Sequence, residues 1–227
     1  MRYSLFLFFA SFLISCSESE VAWDTDRLGL HYFPLEVGDY RIYDVEESIY
    51  SVLGVTTENY ELKEYVADSG LNASNNLQYI IHRSTRLNDA EQWQLDSIWT
   101  AQKSTSIAVL TENNVPFVKM SFPIEHQIEW NGNSLNSLTD ETYWYNTQLP
   151  DTTLLDSLYQ DIVQVVQNDR GEDFLGLENR SEIFAPNVGL IIKESVILKY
   201  CQVECSTEKE IQSGRALTMT LKSYGKE

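Results

Sequence analysis

The chain has 227 residues, of which 43% are hydrophobic and 12% aromatic, and its 16 Lys+Arg stand against 34 Asp+Glu, for a formal charge of −18 at pH 7. That length suits one medium domain with a sizeable core. With no Lys/Arg cluster to offset it locally, the acidity repels phosphodiester backbones and anionic lipid headgroups; no nucleic acid is expected as a partner, nor attachment through a basic surface.

Arg2 opens the chain, an apolar stretch runs from Leu5 to Ile14, and the stretch ends at Leu13-Ile14-Ser15-Cys16. A positive start, a short apolar core and a small residue before a cysteine read as a bacterial lipoprotein signal, residues 1–15, cleaved ahead of Cys16. The Cys16 thiol then carries acyl chains, and these are the expected membrane contact. The stretch is too short to span a bilayer, which takes roughly 20 apolar residues, and no later stretch is long and apolar enough. Cleavage removes Arg2 and no acid, leaving the mature chain one unit more negative. Residues 16–30 read as the lipidated cysteine and an acidic tether, because Ser17 to Asp26 has no apolar period. Residues 31–227 form the expected domain.

From His31 onward the chain is rich in Tyr, Val, Ile and Thr and punctuated by short Asn/Asp/Ser/Gly clusters. These are strand and turn signals. Strands are expected at Tyr40–Tyr50, Tyr60–Ala67, Leu77–Leu87, Trp93–Trp99, Ile107–Leu110, Val115–Phe122, Leu190–Tyr200 and Arg215–Tyr224. The last shows clean alternation of Leu217, Met219 and Leu221 with Thr218, Thr220 and Lys222. Turns are expected at Asp68-Ser69-Gly70, Asn88-Asp89, Asn113-Asn114 and Asn131-Gly132-Asn133. The fold class that follows is all-β: a single domain of about ten mostly antiparallel strands, strongly curved or barrel-like, since sheets of that size curl, split or close.

Tyr143-Trp144-Tyr145 puts aromatics on both faces of a strand, so at least one ring should be exposed or cover a cavity. These three are candidate ligand-facing aromatics, the alternative being Trp144 in the core with the tyrosines at a rim. Leu154 to Val166 fits a helical face, yet its β-branched cluster favours a strand over Tyr159–Gln167. Asn168-Asp169-Arg170-Gly171-Glu172-Asp173 offers hard oxygen ligands for calcium, but Arg170 and the absence of EF-hand spacing favour an ordinary charged hairpin turn. Cys201 and Cys205 form an even pair expected as a small-loop disulfide in the loop of a C-terminal hairpin.

The stretches YFPLEVGDYRIY from Tyr32, IEWNGNSLN from Ile128, EIFAPNVGLIIKE from Glu182 and RALTMTLKSYGK from Arg215 resemble a family of uncharacterised secreted lipoproteins of Bacteroidetes-type Gram-negative bacteria. The marks span Tyr32 to Lys226. The resemblance implies an exported, largely β domain and carries no catalytic residues. The acidic start after Cys16, with Ser17, Glu18 and Glu20, also resembles surface-export signals of such lipoproteins, which implies the outer membrane, on its periplasmic or cell-surface face. Within these motifs Pro34, Gly38, Pro186 and Gly189 read as structural punctuation, and Tyr40, Tyr43, Trp130 and Phe184 as core aromatics.

No catalytic constellation is legible. His31, His82 and His126 make no metal pair, and there is no nucleophile elbow, phosphate-binding glycine loop or His-Glu-x-x-His. No metal or cofactor is expected. The acids Asp151, Asp156, Asp161, Asp169, Glu172 and Asp173 read as a solvated acidic face, although two carboxylates at the right separation run glycoside hydrolysis. The favoured function is a non-enzymatic, lipid-anchored cell-envelope binding module for an apolar or glycan ligand or another envelope protein. The alternatives are an envelope hydrolase using acidic residues and a structural subunit of a surface complex.

Overall fold

The computed structural model describes residues 25–203, 205 and 207–227. The signal and Cys16 lie outside the described residues. A short helix α1 (Thr25–Leu28) and a 3-10 turn (Leu30–Tyr32) precede the strands β1 (Asp39–Ser51), β2 (Gly54–Leu71), β3 (Leu77–Arg86), β4 (Gln94–Lys103), β5 (Ile107–Glu112), β6 (Val115–Ser121), β7 (Glu129–Asn131), β8 (Thr142–Asn146), β9 (Thr152–Leu154), β10 (Ser157–Tyr159), β11 (Val163–Glu172), β12 (Gly176–Ala185), β13 (Gly189–Tyr200) and β14 (Ile211–Lys226). Twelve of them form one antiparallel sheet in the order β6-β5-β4-β3-β2-β1-β14-β13-β12-β11-β8-β7, and β9 and β10 pair apart as a small hairpin.

The sheet curls into a barrel that is nearly closed. At the seam its two ends meet through Val118 N–H donating to Gly132 O at 2.9 Å and the Trp130 indole donating to Val118 O at 2.9 Å. Closure of this kind hides the edge groups that an open sheet would expose.

Local chemistry sets the reversals. Asn113 and Asn114 both take positive φ, 50° and 67°, and join β5 to β6 in the two-residue hairpin that asparagine tolerates. The expected turn at Asp68-Ser69-Gly70 is instead continuous strand, with a register shift between Val66 and Asp68. The chain reverses later, where Asn72 Oδ1 accepts from the amides of Ser74 and Asn76. The structure also has more strands than expected: β7, the β9–β10 hairpin and most of β12 are additions, while β8 holds the strand expected at Tyr143-Trp144-Tyr145. Leu154 to Val166 is no helix. Leu155 and Asp156 turn the β9–β10 hairpin at φ 45° and 66°, and the β-branched run from Val163 enters β11.

Apolar positions on the inner face form three adjoining clusters, the first around Tyr43, Leu62 and Leu221, the second around Met120, Tyr143, Tyr145 and Phe184, the third around Leu35, Val66, Ile81 and Trp99. The segment leading into β1 crosses one end of the barrel and joins two of them, since Phe33 packs against both the second and the third. Its backbone is pinned from opposite sides. Lys103 Nζ donates to the carbonyls of Leu30 and Phe33, Asn187 N–H donates to His31 O, and Arg41 donates to Pro34 O and Val188 O. Gly189, at φ 89°, lies where a Cβ would come within 3.0 Å of the Arg41 guanidinium, so a glycine is what lets that arginine pass.

Candidate functional site

Against the Phe33–Leu35 segment the barrel interior holds a partly open cavity of about 70 Å³. Its apolar wall includes Phe33, Leu35, Ile81, Leu110 and Leu190, while Arg41, Glu64, Arg83, Glu112, Lys119, Glu182 and Lys193 supply ionisable groups. Four cations therefore face three carboxylates inside a chain whose formal charge is −18. The excess acid lies elsewhere.

The sheet register builds this cluster. Glu182 on β12 pairs directly with Lys193 on β13, and Lys193 with Met219 on β14. Lys119 reaches across from β6, between buried Val118 and Met120. Its ammonium lies 2.6 Å from Glu182 Oε1 and 3.3 Å from Glu112, and Lys193 lies 3.0 Å from the same Glu182 oxygen. Glu182 is 1% exposed and Lys119 5%. Burial by itself pushes the Glu182 carboxyl up, but the two lysines outweigh it and hold its pKa at about 2. For Lys119, burial pulls downward and Glu182 and Glu112 more than offset it, leaving the ammonium raised. Glu112, lifted by burial, is brought below the usual carboxylate range chiefly by Lys119. On the facing wall Arg83 donates to Glu64 at 3.0 Å and lies 3.7 Å from the centre of the Trp99 ring.

Among the described residues, five buried side-chain atoms lack a hydrogen-bond partner, and two of them, Glu182 Oε2 and Trp99 Nε1, belong to residues on this cavity wall. One is an acceptor and the other a donor. A buried ion network of this kind adds little to stability compared with well-packed apolar residues, and a buried orphan oxygen costs free energy. Stability does not explain the arrangement.

The aromatics of β8 lie elsewhere. Tyr143 and Tyr145 are buried in the second cluster against Trp130, and the Tyr145 hydroxyl donates to Ser121 O at 2.8 Å. Trp144 alternates to the other face and is half-buried, the reverse of a tryptophan plug with rim tyrosines. None of the three lines the cavity. The sulfurs of Cys201 and Cys205 are bonded, with Cα atoms 5.7 Å apart, in the loop between β13 and β14. The acidic segment from Asn168 to Asp173 spends its carboxylates locally: Asp173 accepts from the amides of Leu175 and Gly176, and Glu172 takes Tyr200 and Lys209. No group of three or more potential metal ligands occurs among the described residues. His31 stacks on Tyr32, His126 accepts from Thr147 N–H, and His82 lies half-buried on β3.

Sequence reading gave no site role to any charged residue of the cavity, although Arg41, Glu182 and Lys193 fall within the motif stretches. The available signal was a lone lysine, Lys119, inside the apolar run from Val115 to Phe122.

No family model matches the chain, and no curated protein matches it. Two solved structures are similar in shape. An exported protein with a YmcC-like fold from Bacteroides fragilis is 12% identical, with 86% of this chain and 98% of that one covered and a TM-score of 0.45. An outer membrane lipoprotein-sorting protein domain from Vibrio parahaemolyticus is 11% identical, covering 84% and 86%, with a TM-score of 0.21. At these values neither likeness assigns this chain a family or an activity.

Proposed function

We propose that this protein is a non-enzymatic, lipid-anchored envelope protein whose barrel interior binds a compact polar ligand. One observation carries the reading: four cations and three carboxylates, among them the ionised and almost fully buried Glu182, line a cavity in the barrel interior. An aliphatic chain placed there would lie against charged groups and offer them no polar partner, which weighs against an apolar ligand. Two-carboxylate hydrolysis needs one carboxyl kept protonated as the acid. Glu182 and Glu112 are both pushed toward the ionised form, so this pair supplies no such acid. The envelope address rests on the signal ending at Cys16 and, for the outer membrane, on the acidic residues after it.

Native mass spectrometry of the lipidated protein purified from membranes tests the reading. A small adduct should accompany the folded wild type, leave on unfolding, and be lost from a folded Leu110→Phe variant, whose larger ring fills the cavity. Adducts that are equal in the two proteins, or absent from both, would overturn the interior site.

A further inference from the structure

We infer that the free edge of β2, Gly54–Tyr60, takes an extended, lysine- or arginine-rich segment of a partner protein as an added strand.

Closure of the sheet does not cover this edge. β1 pairs with β2 out to Ser51 and Gly54, but β3 joins β2 only from Glu61 onward and ends at Arg86. Among the described residues, Gly54–Tyr60 therefore has no strand on its second side. The register identifies the free main-chain groups. Ser51 and Gly54 close a two-residue hairpin and exchange hydrogen bonds, and alternation then turns the N–H and C=O of Val55, Thr57 and Asn59 away from β1. The Ser48 and Thr57 hydroxyls, 2.8 Å apart, fit the close side-chain approach of a pair that exchanges no main-chain bonds. The edge runs for about 20 Å. It is exposed from Gly54 to Asn59 and has no proline, lysine or bulge, devices that commonly guard an edge.

Successive side chains of an added strand point to opposite faces, and a hollow abuts the edge on each face. Glu46 and Asn59 share one face and line a hollow of about 570 Å³, Glu47 and Glu58 share the other and line one of about 400 Å³, and Tyr60 and Leu87 border both. Each hollow holds four carboxylates, against Lys222 in the first and Arg83 and Arg86 in the second. Those cations are already engaged, Lys222 and Arg86 by Glu61 and Asp89, Arg83 by Glu64. Glu46, Glu58, Glu91 and Asp96 have no ion pair among the described residues. A basic strand complements that charge. A second copy would set the same acids against themselves, and an anionic lipid surface is repelled likewise. From Ser48 to Thr57 the hairpin end is uncharged, and its exposed Ile49, Val52, Leu53 and Val55 give apolar residues of the same segment a place to lie.

Fluorescence anisotropy of a labelled, end-capped lysine–valine heptapeptide against the full lipidated protein tests the proposal. The peptide should bind saturably and lose affinity as salt rises. A glutamate–valine peptide should not bind, and neither should a lysine–valine peptide with its central amides N-methylated, which keeps the charge but cannot donate to the edge. Thr57→Pro removes the central edge donor without taking a hydrogen bond from the β1 ladder. It should weaken binding roughly five- to tenfold, the scale of one hydrogen bond, and Glu58→Lys should also weaken it severalfold. If Thr57→Pro does not fold, the N-methylated peptide decides. Equal binding of the N-methylated peptide would show charge attraction without strand addition and overturn the proposal. Equal binding of the glutamate peptide, no binding of the lysine peptide, or unchanged binding in folded Thr57→Pro would overturn it as well. A wild-type dimer that Thr57→Pro dissolves would assign the edge to a second copy, against the basic partner.

Discussion

Removing the lysine that ties the interior together, Lys119→Met, should lower stability by about 3 kcal/mol at neutral pH. The figure follows from Glu182. Burial raises its pKa and the lysines bring it back down to about 2, against an ordinary value of 4.5, and that difference amounts to about 3 kcal/mol of preference for the ionised form. The independent expectation for breaking a buried pair, about 3–5 kcal/mol, agrees, and Lys193 on the same oxygen places Lys119→Met at its lower end. Counting the raised pKa of Lys119 as well would count one attraction twice. The folded pKa of Glu182 is depressed, so its contribution is present above the unfolded value, about 4.5, and is lost as pH falls through the folded value, about 2.

Urea unfolding gives the measurement, because a change in midpoint at constant slope reports stability alone. Lys119→Met should fall well below wild type at pH 7. A double Lys119→Met, Glu182→Leu variant should lose less than the two single changes summed, since it leaves no fully buried lone charge; Lys193 and Glu112 each keep about one-fifth of their side chain exposed. The stability difference between wild type and the double variant should shift in favour of the double variant as pH is lowered from 6 to about 3, because only wild type loses the Glu182 contribution. A Lys119→Met midpoint within error of wild type, or a gap that does not depend on pH, would show that water reaches the network and that the burial reasoning is wrong.

Fatty-acid labelling of cells should mark the wild type and vanish in Cys16→Ala; persistence of the label would remove the lipoprotein assignment. The double variant Cys201→Ser, Cys205→Ser should fold and lose less than about 2 kcal/mol, since the bridge closes a short loop already held by Tyr200 N–H on Leu175 O and Cys201 N–H on Glu210 O. Collapse on thermal unfolding would show that the loop is tied to the core through the bridge. Gly132→Ala puts a Cβ within 2.3 Å of the buried Tyr143 ring at the barrel seam. It should cost about 1–3 kcal/mol and speed hydrogen exchange at Val118, which bonds to Gly132, and an unchanged exchange rate there would contradict the seam.

How much of this could be read from sequence depends on which side of each strand carried the pattern. β14 was legible because its inward positions, Leu217, Met219 and Leu221, are apolar and their neighbours are not. β12 was largely hidden for the opposite reason. Glu178, Arg180 and Glu182 recur every second residue, and Arg180 pairs with Glu141 and Glu178 while Glu182 pairs with Lys119 and Lys193. Charges at strand period read as a wet face, so the strand that carries the centre of the site looks like surface. The signal that separates the two cases lies outside β12. Glu182 is buried because Lys119 comes 63 residues earlier in sequence to meet it, and nothing local to either residue encodes that meeting. Lys119 alone betrays it, since a base at a position flanked by Val118 and Met120, both buried, can lie between them at low cost only if an acid waits across the barrel. In a chain with 34 acids the sequence offers many candidates for that partner and no way to rank them. Closing the sheet selects Glu182, and with it the wall of the cavity on which Lys119 and Lys193 gather.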